Sequence, residues 1–165
     1  MFEIGDKVEY GVLGTCEITN IGKPEIKGID GTFYFLKPLY DERGIIYCPV
    51  ENKVPIRYVM SADEAEELMI SASGCAKDEA LNKRISPRDY ETIVKSQDPK
   101  EIMHLIRHLY NIRNERARQV RRMKSADARM LTEAKKILYQ ELAAATGHSL
   151  EDVTEQMDAA LGVGL

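Results

Sequence analysis

The most concentrated chemistry in this sequence is a run of basic side chains. From Arg113 to Lys124, six of twelve residues are basic and one, Glu115, is acidic. Lysine interleaved with glutamate would be typical of a solvated helix surface. This run is instead rich in arginine and nearly unpaired, and the guanidinium fork matches the oxygens of a phosphate. Both a solvated helix face and contact with a phosphate backbone are therefore compatible with it.

The charge of the chain is unevenly distributed, and the basic run accounts for most of the difference. Net charge is −4, yet residues 100–136 carry 11 basic and 4 acidic side chains, a net of +7. Residues 1–60, 61–99 and 137–165 are each acidic, at −2, −4 and −5. One basic segment in an acidic protein favours a local contact with a polyanion.

Two histidines present a second candidate chemistry. His104 and His108 are four residues apart, with Glu101 one helical turn before them. This spacing could bind a metal, and a small metalloenzyme is one hypothesis. The order is not H-E-x-x-H, and no carboxylate lies between the two imidazoles to act as a base. We therefore favour histidines that bind no metal.

Other signatures of catalysis are missing from the sequence. It contains no glycine-rich phosphate loop and no Ser-His-Asp order, so we predict neither an enzyme nor a cofactor. Its three cysteines are far apart, which favours a reducing cytoplasm over a disulfide framework. The N-terminus has no signal-peptide pattern, and no apolar run reaches the roughly 20 residues of a membrane span. We expect a cytoplasmic protein that does not contact a membrane.

Residues 1–60 show the pattern of a small β domain. Glycines separate short runs rich in β-branched and aromatic residues. Both faces of Phe33–Leu36 are apolar, which predicts a central strand covered on both sides. Five short strands predict a strongly bent sheet or partial barrel. The predicted strands are Lys7–Tyr10, Thr15–Lys23, Thr32–Leu39, Ile45–Pro49 and a short one near Ile56–Val59.

Residues 61–165 show helical periodicity and helix-start signals. Ser61 and Glu64 form a capping box, and the first helix is expected to end at Ala72, before Gly74. Residues 75–85 have the composition of a loop. The tail from Gly162 to Leu165 is predicted to fray. Further helices are predicted to start at Ser86-Pro87, at Asp98-Pro99, after a Ser125 cap and after a Ser149 cap.

Several segments occur in an order and spacing that are typical of one family. They are MFEIGDKVEYGVLGTCEITNI, IKGIDGTFYFLKPL, CPVEN with the Ile56-Arg57 pair, LYNIRNERAR and MLTEAKKILYQELAAA. Together they resemble the CarD/CdnL-type bacterial transcription regulators across nearly the whole chain. The resemblance implies an α+β protein: a Tudor-like bent sheet or partial barrel at residues 1–60, then about five helices at residues 61–165.

The resemblance also implies a function. The first domain would bind the β subunit of RNA polymerase, as a related domain does in the transcription-repair coupling factor. The helical domain would bind upstream promoter DNA, without sequence specificity, and the pair would modulate the stability of the open complex. We expect a monomer. A protein–protein adaptor without DNA contact is the alternative.

Candidate site residues follow from the resemblance and from the basic run. Polymerase-contacting arginines of the family match about Pro24 and Tyr47 here. The family also has a DNA-wedging tryptophan, and counting back from Ser96-Gln97-Asp98 puts Lys83 at its place; this chain has no tryptophan. The predicted polymerase-binding residues are Lys23, Pro24, Tyr47, Cys48 and Pro49. The predicted DNA-binding residues are Lys83, Arg84, Arg88, Arg113, Arg116, Arg121, Arg122, Lys124 and Arg129.

Overall fold

The protein folds into two compact units, Met1–Val59 and Met60–Leu165. The structure, a computed structural model, describes residues 1–11, 13–51 and 54–164. Over those residues a five-stranded antiparallel sheet precedes five α-helices, which confirms the predicted α+β class. Val12 of the opening motif and Asn52 of CPVEN lie outside the described residues. We refer to the two parts as the sheet unit and the helical unit.

The sheet unit has the strand order β4-β3-β2-β1-β5, and all neighbouring strands are antiparallel. The sequence prediction is confirmed for every strand, with ends that differ by at most one residue. A register shift between Ile18 and Asn20 interrupts the β2–β3 pairing, and such a bulge increases local twist. The strands are β1 Lys7–Tyr10, β2 Thr15–Gly22, β3 Phe33–Pro38, β4 Ile46–Pro49 and β5 Ile56–Tyr58.

Strand β3 is internal, but the prediction that it is central and covered on both faces is wrong. The central strand is β2, and only one face of β3 is fully buried, through Tyr34 and Leu36. On the other face Phe33 and Phe35 are half-buried. The ring of Phe35 meets the ring of Tyr47 on β4 edge-to-face, with centroids 5.0 Å apart. The rings of Phe35 and Tyr47 therefore shield each other on this face.

The helical unit begins where the capping signals predicted. The hydroxyl of Ser61 accepts a hydrogen bond from the Glu64 amide, and the hydroxyl of Ser149 accepts one from Asp152. Ser125 differs from the prediction, because Lys124 occupies the N-cap position and Ser125 is the first helical residue. The helices are α1 Ala62–Ser73, α2 Tyr90–Ser96 after a 3-10 turn at Pro87–Asp89, α3 Pro99–Arg118, α4 Ser125–Thr146 and α5 Leu150–Leu161.

The chain beyond α5 is held against α3, so the predicted fraying of this tail is wrong for the described residues. Arg107 on α3 is fully buried, and its Nη1 donates to the carbonyls of Leu161 at 2.9 Å and Val163 at 2.5 Å. The side-chain amide of Asn114 donates to the carbonyl of Gly162 at 3.1 Å. Three consecutive carbonyl groups are thereby satisfied, two by Arg107 and one by Asn114, which lies within the basic run. Leu165 lies outside the described residues.

A second polar network joins the last three helices. The hydroxyls of Tyr110 on α3 and Tyr139 on α4 both donate to Oδ1 of Asp158 on α5. Lys135 donates from Nζ to the other carboxylate oxygen of Asp158 at 3.0 Å. Burial raises the pKa of both phenols, so they remain protonated donors. This network fixes the rotation of α3, and with it the direction in which the basic run faces.

Candidate functional site

The connection between α3 and α4 carries the basic run, and we call residues 113–124 the basic turn. Helix α3 ends at Arg118, with Arg116 and Arg118 in its last turn. Cations there are favourable because the carbonyl end of a helix carries partial negative charge. Helix α4 begins at Ser125, so only six residues reverse the chain. The positive side chains are therefore confined to one short, helix-supported segment.

Hydrogen bonds define the conformation of this turn. The amide of Val120 donates to the carbonyl of Ala117 at 3.0 Å, and the amide of Arg121 donates to the carbonyl of Arg116 at 2.8 Å. This is the pairing of a Schellman motif, which satisfies the last carbonyls of a helix. The Arg116 side chain adds a bond from Nε to the carbonyl of Arg122 at 2.6 Å. Arg116 thus supports the turn from within.

The arginines of the basic turn fall into two groups. Arg113 and Arg116 are engaged in the fold: the guanidinium of Arg113 lies 4.8 Å from the Tyr110 ring centroid, and Arg116 bonds to the turn backbone. Arg118, Arg121 and Arg122 are exposed, and no acidic side chain of the described ranges pairs with them. Lys124 is exposed as well. The three exposed arginines are best placed to bind phosphates.

Arg118 was not among the predicted site residues, although it lies within the run that suggested them. The sequence does not distinguish Arg118 from the other basic residues of the run, because all of them have similar neighbours. In the structure it stands out because it has no acidic partner among the described residues and lines a cavity of about 310 Å³ together with Arg84 and Glu115. We therefore add Arg118 to the candidate site.

The loop before α2 brings further basic residues to the same helix. His104 donates from Nε2 to the carbonyl of Lys83 at 2.8 Å, so that carbonyl is fixed to α3 while the Lys83 side chain is exposed. Arg84 forms an ion pair with Glu115 at 3.1 Å, which places it beside the last turns of α3. Glu115 is the acidic residue of the basic run, so Arg84 offsets part of its charge.

Arg88 and Arg129 are exposed, as a DNA contact requires, but are less clearly associated with the turn. Arg88 is in the 3-10 turn before α2, and Arg129 is in the first turns of α4. No hydrogen bond or ion pair of the described residues joins either side chain to the basic turn. Their alignment on one DNA surface stays a prediction.

The two histidines act as positioning groups for the loop. The Ile85 amide donates to Nδ1 of His108 at 3.4 Å, so the ring proton is on Nε2, which contacts the Tyr90 hydroxyl at 3.0 Å. Burial lowers the pKa of His108, and the positive charges of His104 and Arg84 lower it further. Within the described ranges, no three His, Cys, Asp or Glu side chains form a group that could hold a metal.

The cysteine thiols are packing groups. Cys16, Cys48 and Cys75 are all buried, and none of the three forms a disulfide. Burial raises the pKa of the Cys16 thiol to about 11, with a further contribution from the negative charge of Glu9. Burial also raises the pKa of Cys75, whose Sγ contacts the Ala160 carbonyl at 3.1 Å. A protonated, enclosed thiol is a poor nucleophile.

The predicted polymerase-binding residues lie on the edge strand β4 and just after the central strand β2, with different exposures. Tyr47 is 39% exposed on the edge strand β4, whereas the Cys48 side chain is fully buried and can contribute only its backbone. Pro24 is also buried. Lys23 is exposed and forms an ion pair with Asp30 at 3.1 Å. Pro49 is half-buried and borders a cavity of about 610 Å³.

Strand register explains which of these residues, distant in sequence, lie at the same end of the sheet. Phe33 on β3 is opposite Gly22 on β2 and opposite Pro49 on β4. Lys23 and Pro24, which follow Gly22, therefore lie at the same end of the sheet as Pro49, about two strand spacings of roughly 4.8 Å away. Of the five predicted residues, Lys23 and Tyr47 have exposed side chains and Pro49 has a half-buried one.

The comparison with family models decides the family. The family described as CarD, C-terminal domain, matches residues 67–158, which is more than half of the chain. The chain belongs to the CarD family. All of the DNA-binding residues predicted for this CarD-family chain fall within the matched range, as does Arg118. The sheet unit lies before it.

One further comparison and one property of the helices complete the description of this CarD-family protein. No curated protein matches the chain. Among residues 1–11, 13–51 and 54–164, no helix combines the length and hydropathy that a membrane span needs. Membership of the CarD family makes the chain a transcription-related protein.

Proposed function

We propose that this protein is a transcription regulator that binds the RNA polymerase β subunit through its sheet unit and upstream promoter DNA through its helical unit. The observation that carries the proposal is the group of exposed arginines, Arg118, Arg121 and Arg122, in the range of the CarD C-terminal domain. In this proposal it acts in the bacterial cytoplasm, and binding of both partners modulates the stability of the open promoter complex.

DNA contact is supported by the type and setting of the charges. Arginine binds phosphate oxygens through two parallel donors, and no described acidic side chain competes for the three exposed arginines. The described part of the basic turn offers no aromatic side chain to stack on bases. The contact is therefore electrostatic and independent of sequence.

Polymerase contact is supported by the edge position of β4. An edge strand is where a partner can extend a sheet by β-augmentation, with side chains of alternate residues adding specificity. Tyr47 is the partly exposed aromatic residue of this strand, and its ring is already oriented by Phe35. A preorganised aromatic residue is a common anchor of protein interfaces.

Modulation of the open complex follows if some contacts are made only in that state. A protein bound equally to closed and open complexes changes nothing in their equilibrium. Anchoring to polymerase raises the local concentration of the helical unit near the promoter. Any arginine–phosphate bond that forms only after the DNA bends or opens then lowers the free energy of the open state.

The DNA half of the proposal is tested by the salt dependence of duplex binding. We expect the affinity for an arbitrary duplex to fall steeply with salt, with a log-log slope near −0.9 for each phosphate contacted. A slope near zero would leave the adaptor alternative, in which the basic turn serves only solubility.

The polymerase half is tested by co-purification with RNA polymerase from a bacterial host. Tyr47→Glu places a charge on the β4 edge and is expected to abolish recovery of the β subunit. Tyr58→Glu is the matched control, because Tyr58 is 55% exposed on β5, at the opposite edge of the sheet. Equal loss in both variants, or none in either, contradicts the β4 assignment. Urea unfolding of each variant separates loss of binding from loss of fold.

A further inference from the structure

The cavity of about 310 Å³ beside the last turns of α3 combines cations, amide groups and apolar surface. We call it the α3 cavity. One wall is a single face of α3, because residues three or four apart in a helix are neighbours on its surface. The other wall is the loop before α2. Residues that line the cavity are Asn82 and Arg84 from the loop, and Asn111, Ile112, Glu115 and Arg118 from α3.

Two guanidinium groups lie on the exposed side of the α3 cavity. The Arg84 side chain is 78% exposed, and its ion-pair partner Glu115 is 51% exposed. Arg118 is exposed and has no acidic partner in the described residues. An exposed ion pair adds little stability, so a phosphate can replace Glu115 on Arg84 at small cost. Two arginine forks beside one opening suit the oxygens of a phosphate group.

Two buried polar atoms without hydrogen-bond partners belong to the network that backs the cavity. Among the described residues they are Oδ1 of Asn111, an acceptor, and Nη2 of Arg107, a donor. Both side chains bond through another atom to Oδ1 of Asn82, from Nδ2 of Asn111 at 2.8 Å and from Nε of Arg107 at 2.9 Å. A flip of the Asn111 amide would oppose two oxygens. The two atoms are therefore left unsatisfied at a cost in free energy.

This unpaired donor and acceptor indicate the chemistry of a ligand that would satisfy them. Such a ligand carries an acceptor beside an N–H donor, as the hydrogen-bonding edge of a nucleobase does. Rotation about χ2 of Asn111, which is a broad torsion, turns its Oδ1 toward the cavity. Ile112 adds apolar surface to the wall. A volume of about 310 Å³ is at the lower end of the range for small-molecule sites and suits a single nucleotide.

We propose that the α3 cavity binds a free mononucleotide, with its phosphate on Arg84 and Arg118 and its base edge on Asn111 and Arg107. A DNA duplex supplies phosphates to the two exposed arginines, but its bases are paired and present no free edge to the inner wall. Because Arg118 also belongs to the proposed DNA contact, nucleotide and duplex compete for it. The competition rests on the proposed function, whereas nucleotide binding itself does not.

Isothermal titration calorimetry of the full-length protein tests the nucleotide site. The probes are the four common ribonucleoside 5′-monophosphates, ribose 5-phosphate and inorganic phosphate. At least one nucleotide should bind with a Kd of about 10–300 µM, as expected for a ligand of this size. Ribose 5-phosphate should bind about tenfold more weakly, because it leaves the inner donor and acceptor unpaired. Equal affinities for all probes, or no binding of any nucleotide, would overturn the proposal.

Substitutions separate the inner wall from the exposed side. Asn111→Leu removes the inner acceptor and should weaken nucleotide binding about tenfold, with little effect on ribose 5-phosphate. Arg84→Gln should weaken the nucleotide and ribose 5-phosphate by similar factors. Arg88→Gln is the matched control, because Arg88 is exposed in the 3-10 turn and is outside the described lining of the cavity. Equal losses in Arg84→Gln and Arg88→Gln would overturn the phosphate assignment.

Thermal unfolding shows whether Asn111→Leu acts through the ligand or through the fold. Its midpoint should stay within about 2 °C of the wild type, because the change removes an unsatisfied acceptor together with one neutral hydrogen bond. A variant that loses binding of every probe together with its fold would give Asn111 a structural role and overturn its assignment to the base. The comparison of Arg84→Gln with Arg88→Gln tests the phosphate position in either case.

Methyl NMR locates the bound nucleotide. Ile112 lines the α3 cavity, whereas Ile70 is 70% exposed on α1 and provides an internal control. Addition of the nucleotide should shift the δ1 methyl signal of Ile112 and leave that of Ile70 unchanged. A shift of Ile70 without a shift of Ile112 would place the nucleotide elsewhere and overturn the assignment.

Competition with a duplex distinguishes this inference from the proposed function. A saturating nucleotide should weaken duplex binding by the wild type about two- to fivefold, through the one shared contact at Arg118, and should have no effect on Asn111→Leu. Duplex binding without nucleotide binding overturns the nucleotide site alone. Nucleotide binding without salt-dependent duplex binding overturns the DNA contact and leaves the nucleotide site supported. Binding of both without competition would show that Arg118 does not hold the nucleotide phosphate.

Discussion

Arg107 and Arg118 are on the same helix, about three turns apart, and have opposite surroundings. Arg107 is fully buried, and its donors contact Asn82 and the carbonyls of Leu161 and Val163. Arg118 is exposed and has no acidic partner in the described residues. Because the two side chains have the same chemistry, the difference shows that the groups around an arginine decide between structure and recognition.

The Nη1 of Arg107 bonds to peptide carbonyls, whereas its buried Nη2 has no hydrogen-bond partner among the described residues. Leu161 is the last residue of α5, and the carbonyl end of a helix carries partial negative charge. The Nε donor meets the side-chain oxygen of Asn82 at 2.9 Å. Burying a cation without hydrogen-bond partners costs free energy. Each bond of the enclosed Arg107 guanidinium therefore contributes to the stability of the fold.

The largest expected effect comes from removing the buried member of this pair. Arg107→Met keeps the aliphatic stem but leaves the carbonyls of Leu161 and Val163 without their donor. We expect a loss of about 3 kcal/mol in the free energy of unfolding, measured by urea denaturation. Arg107→Lys keeps the charge without the fork and should lose less. An unchanged free energy in Arg107→Met would contradict a structural role for Arg107.

The next largest effect is on the salt dependence of duplex binding, with almost no change in the free energy of unfolding. Replacing Arg118, Arg121 and Arg122 by glutamine should reduce the log-log salt slope of duplex binding by about 2.7, or roughly 0.9 for each lost phosphate contact. The free energy of unfolding should change by less than about 0.5 kcal/mol, since these are exposed surface positions.

The matched control for this triple variant removes the same charge elsewhere. Lys77, Lys95 and Lys100 are exposed lysines of the helical unit outside the basic turn. Their replacement by glutamine should leave the salt slope nearly unchanged. Equal losses in the two triple variants would show that net charge, and not the turn, governs binding.

A smaller effect should appear in the pH dependence of stability. Burial lowers the pKa of His108 below the ordinary histidine value of 6.5 in the folded state, so the unfolded chain binds a proton more readily. Stability is therefore present above pH 6.5 and is lost as the pH falls from there toward the folded pKa. His108→Asn should flatten this part of the curve of unfolding free energy against pH. If the curves of the two proteins are parallel, His108 is not the titrating group.

The smallest effect tests the single acidic residue of the basic turn. Glu115 is bonded to Arg84 in an exposed ion pair, and such pairs contribute about 0–1 kcal/mol to stability. Glu115→Gln releases Arg84 and removes a negative charge beside Arg118. Duplex affinity at low salt should rise about two- to threefold, as measured by fluorescence anisotropy. A fall in affinity would place Glu115 itself at the DNA contact.

The secondary structure followed from sequence because its signals are local. Short runs of β-branched and aromatic residues between glycines predicted all five strands. Ser61, Asp98 and Ser149 predicted helix starts, and their side chains do accept the capping bonds. Ser125 was less informative, because Lys124 already has the extended backbone of an N-cap. The burial of β3 was also predicted wrongly. Apolar residues on both faces of a strand do not show whether both faces are fully buried.

The candidate site was only partly accessible from sequence. The basic run was visible, but its division into engaged and exposed arginines depends on partners such as Tyr110 and Arg122 that only the fold brings close. Arg107 gave no signal, because one arginine in an apolar helix resembles a solvated position. The positive φ of 55° at Val120 was equally hidden, since a Schellman motif without glycine lacks its usual marker.

The bonds of Arg107 to the end of α5 also constrain the order in which the helical unit assembles. The partners of its Nη1 are 54 and 56 residues further along the chain. Until α5 has docked, burying α3 would enclose a cation without those carbonyls, so hydrated and partly open forms of α3 are favoured. We infer that α3 and α5 become protected from hydrogen exchange together. Asn114, near the start of the basic turn, then gains its bond to the carbonyl of Gly162 only in that late step.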